Sequence, residues 1–115
     1  MLIACGDALI DFVPARGTDG REAMVPVVGG SCLNVAIGLA RLGGPAGFIG
    51  GVSNDMFGQM IVDHAAVSNV DLGLATRSDH QTTLAFVRMV AGEAQYAFYD
   101  AGTAAANWAY RRGTI

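Results

Sequence analysis

Apolar positions open the chain in short unbroken runs. Leu2-Ile3-Ala4-Cys5, ending at Gly6, reads as a buried strand. Residues 8–13 (ALIDFV) continue as a second extended piece, closed by Pro14. Residues 15–22 are polar, contain two glycines and predict a turn region. Residues 23–28 (AMVPVV) predict a short edge strand, because Pro26 has no N–H to offer a second neighbour.

The period then changes. After Gly29-Gly30, the residues Cys32, Val35, Ala36 and Leu39 fall at i, i+3, i+4 and i+7, one apolar stripe of a helix. Ser31 is placed to cap its start and Gly43 its end. Residues 46–52 (AGFIGGV) read as another buried strand. A second helix follows, capped by Asn54 or Asp55, with Phe57, Met60, Ile61 and Ala65 on one face. Residues 72–76 predict a short strand. Beyond the loop 77–81, Thr82–Val90 and Ala94–Tyr99 are extended runs joined by Ala91-Gly92-Glu93, a β-hairpin. The stretch 101–115 carries no clear pattern. Strand and helix alternating in this order imply an α/β fold with a parallel sheet. The excursions at about 14–28 and 82–99 form an added β flap. No linker divides the chain, so residues 1–115 read as part of one domain.

Composition narrows the function classes. Hydrophobic residues make up 52% of the 115 and the formal net charge is -3, which argues for a packed core and against disorder. All seven cations are Arg and only Arg111 and Arg112 are adjacent, so no nucleic-acid footprint is present. No run reaches the ~18–20 apolar residues of a membrane span, and Asp7 and Asp11 interrupt the N-terminal run before it resembles a leader. Cys5 and Cys32 lie in apolar surroundings without a CxxC spacing and read as buried free thiols of a reducing cytoplasm, with a disulfide or metal pair as the alternative. The five Met residues are scattered, as gap-fillers are.

Three positions carry candidate chemistry. Asp11 ends an early strand, where α/β sheets bind ligands, and a carboxylate there accepts hydrogen bonds from vicinal hydroxyls; the plainer reading is a surface or turn Asp. Gly29-Gly30 lets backbone approach a ligand before a helix start, or is an ordinary strand-to-helix turn. Asn34, poor in a helix interior, offers an amide that both donates and accepts, or is a capping or solvated side chain. The absence of Lys excludes a Walker A loop. No GxGxxG, HExxH or GxSxG occurs, and His64 and His80 lack metal-ligand spacing.

The run Gly29-Gly30-Ser31-Cys32-Leu33-Asn34-Val35-Ala36-Ile37-Gly38-Leu39-Ala40-Arg41-Leu42-Gly43 resembles the first signature of the PfkB/ribokinase carbohydrate kinases. Phe48-Ile49-Gly50-Gly51-Val52-Ser53-Asn54-Asp55-Met56-Phe57-Gly58 follows at the family's spacing. Gly6-Asp7-Ala8-Leu9-Ile10-Asp11-Phe12 resembles its first strand, and Thr82–Val87 with Phe98-Tyr99 resembles the lid hairpin of fructokinase-like members. The resemblance extends to about residue 108. It implies a truncated ribokinase-like fold: a parallel sheet flanked by helices, with a small β lid.

The resemblance also implies site residues. Asp11 would accept sugar hydroxyls, Gly29 and Gly30 would offer backbone, Asn34 would bind a hydroxyl, and Phe98 would cover the sugar's apolar face. Phe86 and Arg88 would belong to the lid, Arg88 being the cation near the pocket if the substrate were a sugar acid. Members phosphorylate a sugar hydroxyl with ATP and Mg2+; fructose fits the lid best, with ribose, a nucleoside or a 2-keto-3-deoxy sugar acid as alternatives. They often dimerise through the lid, and a cytoplasmic location is expected. The family's second signature, Gly-Ala-Gly-Asp, supplies the general base and an anion hole. It does not occur in these residues, nor does most of the nucleotide pocket. Asp100 stands where many relatives carry Arg, and Ala109–Ile115 departs from the family pattern. The chain is therefore expected to be inactive alone, as the sugar-binding half of a kinase, a non-catalytic sugar-binding remnant, or a fragment whose open sheet edge drives self-association.

Overall fold

In the computed structural model, residues 1–109 are described. They form eight strands and two helices. The strands are β1 (Leu2–Cys5), β2 (Leu9–Arg16), β3 (Glu22–Gly29), β4 (Ala46–Ile49), β5 (Gly51–Ser53), β6 (Thr76–Ser78), β7 (Leu84–Val90) and β8 (Glu93–Tyr99). The helices are α1 (Ser31–Arg41) and α2 (Met56–Val67). β1 pairs in parallel with β4, and β5 with β6. The remaining strands make a four-stranded mixed sheet, β3-β2-β7-β8, in which only β2 and β7 are parallel.

The core lies where α1 and α2 cover the inner ends of these sheets. Ile10, Leu33, Phe48, Val52 and Ile61 are fully buried there. All four residues of β4 are buried, which is why that strand reads as a continuous apolar run. The strand expected over 46–52 is broken at Gly50. A side chain there would collide with the Gly6 carbonyl and the Phe48 ring, so the chain kinks and β4 and β5 join different sheets.

The expected face of α1 is rotated. Leu33, Ala36 and Ile37 are buried, whereas Val35 is 57% exposed. Nearly every position of this helix is apolar, so two stripes satisfy the periodicity and tertiary contact chooses between them. One such contact is Cys32 Sγ, which occupies the space a side chain at Gly6 would need. Gly30, not Ser31, is the N-cap residue, and no side chain caps the helix. The C-terminus is a Schellman turn: Gly44 N–H donates to Leu39 O (3.1 Å) and Gly43 N–H to Ala40 O (3.0 Å), with Gly43 at φ 88°.

β2 runs through Pro14 to Arg16 instead of closing at it. Its pairing with β7 covers only Ile10 to Phe12, so beyond that point β2 has a single partner and tolerates a residue without N–H. The turn therefore shrinks to residues 17–21. β3 is an edge strand, as Pro26 requires. The β7–β8 hairpin closes on Ala91 (φ 52°) and Gly92 (φ 80°), the two positive φ values of a type I′ turn. Residues 72–75 form no strand. Leu72–Ala75 is a turn held by Ala75 N–H on Leu72 O (3.0 Å), and β6 begins only at Thr76. The thiols are free, but Cys5 is exposed and Cys32 half-buried, because nothing described covers the outer side of β1. Within the patternless stretch 101–115, Thr103 and Ala104 are buried against the strand roots, while residues 110–115 lie outside the described residues.

Candidate functional site

Register places the candidate residues on the four-stranded sheet. Asp11 pairs with Val27 on β3 and Ala85 on β7, and Ala85 pairs with Phe98 on β8. Residues directly paired across strands share a face, so Asp11 and Phe98 stand on one side with the small Ala85 between them. At ~4.8 Å per strand spacing they are about 10 Å apart. Asp11 is half-buried and Phe98 is 60% exposed.

Gly29 closes the lower border of this face. It pairs with Leu9, and a side chain on it would collide with the Asp11 carboxylate. Gly30 follows at φ 108°, a conformation few residues but glycine adopt, and a side chain there would strike the Asp7 carbonyl. These two glycines thus let α1 start beside Asp11. Asn34 N–H donates the first helical bond to Gly30 O (2.9 Å), which puts the exposed Asn34 one turn into the helix. Gly29 lies against Asp11, with Gly30 next to it in the chain; Asn34 is exposed in the first turn of α1, and Phe98 shares the Asp11 face from β8.

Phe86 and Arg88 do not join them. Phe86 pairs with Phe12 and Ala97, one residue out of step with the Asp11 row, and so points to the other face. There it stacks on Phe12 (4.6 Å between centroids, planes 8° apart) and meets Tyr99 edge-on at 5.6 Å. Phe12 in turn meets Phe57 of α2 edge-on at 5.8 Å. Phe86 therefore packs the sheet onto α2. Arg88, two residues on, shares that face and is exposed.

Clefts lie at the turn Gly17–Ala23, beside α2 (Val27, Met60, His64), around Met1 and Phe48, and between Pro14 and Met89, and Asp11 lines none of these four. Among the described residues no group of three His, Cys, Asp or Glu side chains could hold a metal ion. No step through Mg2+ follows from the described residues. His80 Nε2 sits 3.1 Å from the Asn107 side chain. No helix of the described residues is long and apolar enough to cross a membrane.

One polar cluster had no signal in local sequence. Asp55 caps α2 by accepting from Gly58 N–H (2.8 Å), and it also accepts from Thr82 Oγ1 (2.6 Å) and Thr82 N–H (2.9 Å). Partial burial pushes the Asp55 carboxyl up. The hydrogen bonds from Thr82, Gly58 and Ser53 outweigh it and hold the group below its ordinary value. Thr83 Oγ1 and Thr103 Oγ1 are 2.6 Å apart, both buried. The Asp55–Thr82 and Thr83–Thr103 bonds span 27 and 20 residues, beyond any local motif.

The described residues thus form an α/β core carrying a β flap, with a carboxylate and a diglycine helix start at the flap's root. Comparison with known proteins names the class. The model of the pfkB family of carbohydrate kinases matches residues 1–111. The fructokinase of Rhizobium leguminosarum bv. trifolii is 43% identical over 104 residues, 90% of this chain and 32% of that one. The probable fructokinase-7 of Arabidopsis thaliana is 42% identical over 105 residues, 85% of this chain and 30% of that one. The crystal structure of Xylella fastidiosa fructokinase with bound ATP superposes with a TM-score of 0.85 at 33% identity, over 93% of this chain and 35% of that one. The chain belongs to the pfkB carbohydrate kinase family. It spans about a third of the length of these relatives.

Proposed function

We propose that this chain forms the sugar-binding wall and lid of an ATP-dependent sugar kinase whose substrate is a neutral ketose of the fructose type. The observation that carries the reading is the Val27–Asp11–Ala85–Phe98 row beside Gly29-Gly30. The Asp11 carboxylate accepts two sugar hydroxyls, the Gly29-Gly30 backbone and the Asn34 amide take others, and Phe98 covers the apolar face of the ring. Arg88 on the opposite face favours a neutral sugar over a sugar acid. The relatives at 43% and 42% identity carry the name fructokinase, which agrees with that choice.

Transfer requires a base and a phosphate clamp. These 115 residues contain neither Lys nor Gly-Ala-Gly-Asp, so the chain by itself binds sugar and turns over negligibly. In the complete reaction, closing the lid over the sugar excludes water from the ATP. Farther out on the Asp11 face, Val25, Met89 and Tyr96 are exposed, which supports pairing with a second copy.

Calorimetric titration of fructose, ribose and gluconate-type acids into the chain, with a coupled assay for ADP release, tests the reading. Saturable fructose binding without ADP release is expected. No heat with any sugar at millimolar concentration, or tighter binding of an acid than of fructose, contradicts it.

A further inference from the structure

The motif between Phe48 and Gly58 contains an acid, Asp55, for which the sugar wall has no use. Both of its carboxylate oxygens are engaged. Oδ1 accepts from Gly58 N–H and Thr82 Oγ1, and Oδ2 accepts from Thr82 N–H. Only the first of these bonds caps a helix. The other two reach 27 residues along the chain, to the point where β7 is about to begin.

From that point the path to the wall is short. Thr83 O accepts from Ile10 N–H (3.1 Å), which ties the hairpin root to the strand carrying Asp11. On the returning leg, Thr83 Oγ1 bonds Thr103 Oγ1, and Ala104 N–H donates to Gln81 O (2.8 Å). Both legs of the hairpin are thus stapled at one level. Thr82, Thr83 and Thr103 are buried, and buried polar groups hold their geometry because an unmade bond there costs a full desolvation penalty.

We propose that Asp55 is a positioning residue for the sugar wall: through Thr82 it fixes the root of the β7–β8 hairpin against β2 and so sets where Phe98 stands relative to Asp11. It touches no substrate. The anchoring stands on geometry alone; its consequence for sugar rests on the reading of the Asp11 face given above. A carboxylate suits the task because two oxygens serve three donors on two elements. An amide has one accepting oxygen, and a hydroxyl is too short to serve both elements.

The test uses the 115-residue chain, with amide hydrogen exchange as the readout and fructose titration beside it. Asp55→Ser keeps an oxygen that caps α2 but offers nothing to Thr82. The amides from Thr82 to Phe86 should exchange at least about tenfold faster in this variant, while those of α2 stay within about threefold. Thr82→Val loses one of the two anchor bonds and leaves Asp55 in place. It should accelerate the same hairpin amides by less, with α2 unchanged, and it keeps the idea testable should Asp55→Ser fail to fold. Fructose affinity should fall about tenfold in Asp55→Ser. Hairpin exchange unchanged in both variants, or α2 and hairpin accelerating together, would mean Asp55 is a helix cap and nothing more. Absence of fructose binding by the unaltered chain would sink the sugar reading instead, and the exchange rates would still decide the anchor.

Discussion

Ile10 and Phe98 belong to the same four-stranded sheet and are both strongly apolar, yet Ile10 is 0% exposed and Phe98 is 60% exposed. The difference is face and strand: Phe98 is level with Asp11, on the opposite face from Ile10 and on the edge strand β8. At its root the sheet meets α2 through Phe12 on Phe57, with Phe86 stacked on Phe12, while Asp55 holds Thr82 and Thr103 holds Thr83. Farther out, β3, β7 and β8 carry Met24, Val27, Met89 and Tyr96 into solvent. The root serves stability. The outer half spends apolar surface on nothing within the described chain, which is what a surface built to cover a ligand or a partner does.

The largest effect that separates the two regions is a truncation in the core. Phe48→Ala removes a side chain 1% exposed and should destabilise by about 3–5 kcal/mol in urea unfolding. A loss under about 1 kcal/mol would mean the inner region is not the stable one. Next comes Asp11→Ala. Losing hydrogen bonds to a charged acceptor should weaken fructose binding about ten- to a hundredfold, with the unfolding midpoint nearly unchanged. Equal losses of affinity and stability would make Asp11 a structural residue.

A smaller effect is expected from pH. The Asp55 carboxyl lies below its ordinary value of 3.8 in the folded chain, through bonds from Thr82, Gly58 and Ser53 that overcome its burial. A group depressed on folding stabilises above its unfolded pKa, and that contribution is lost as pH falls through the folded one. Unfolding midpoints followed downward from about pH 5 should therefore fall more steeply in the unaltered chain than in Asp55→Asn. Parallel curves would remove the hydrogen-bonded Asp55 from the account. The smallest effect belongs to Phe98→Ala, which should change stability by no more than about 0.5 kcal/mol. Light scattering should show less self-association in that variant than in the unaltered chain; an unchanged mass would remove Phe98 from any contact between copies.

Much of this was legible from residue patterns. The edge strand at Pro26, the hairpin at Ala91-Gly92, the Asp55 cap and the closeness of Asp11 to Gly29-Gly30 all follow from local chemistry or from the family signature. Other features depend on pairing. Which stripe of α1 is buried was undecidable in a helix apolar on several sides. Pro14 appeared to end a strand because nothing local reveals that β7 leaves β2 unpaired beyond Phe12. Phe86 and Arg88 read as lid residues, and only the register shows that they share the face of Phe12. The Asp55–Thr82 and Thr83–Thr103 bonds span sequence distances that no motif encodes.

An NMR titration of the isotope-labelled chain with fructose tests the central claim most directly. Shift changes should concentrate on the amides of Asp11, Gly29, Gly30, Asn34 and Phe98 and saturate together, with Arg88 unaffected. Changes centred on the Arg88 face or the turn Gly17–Ala23, or none at saturating fructose, would contradict it.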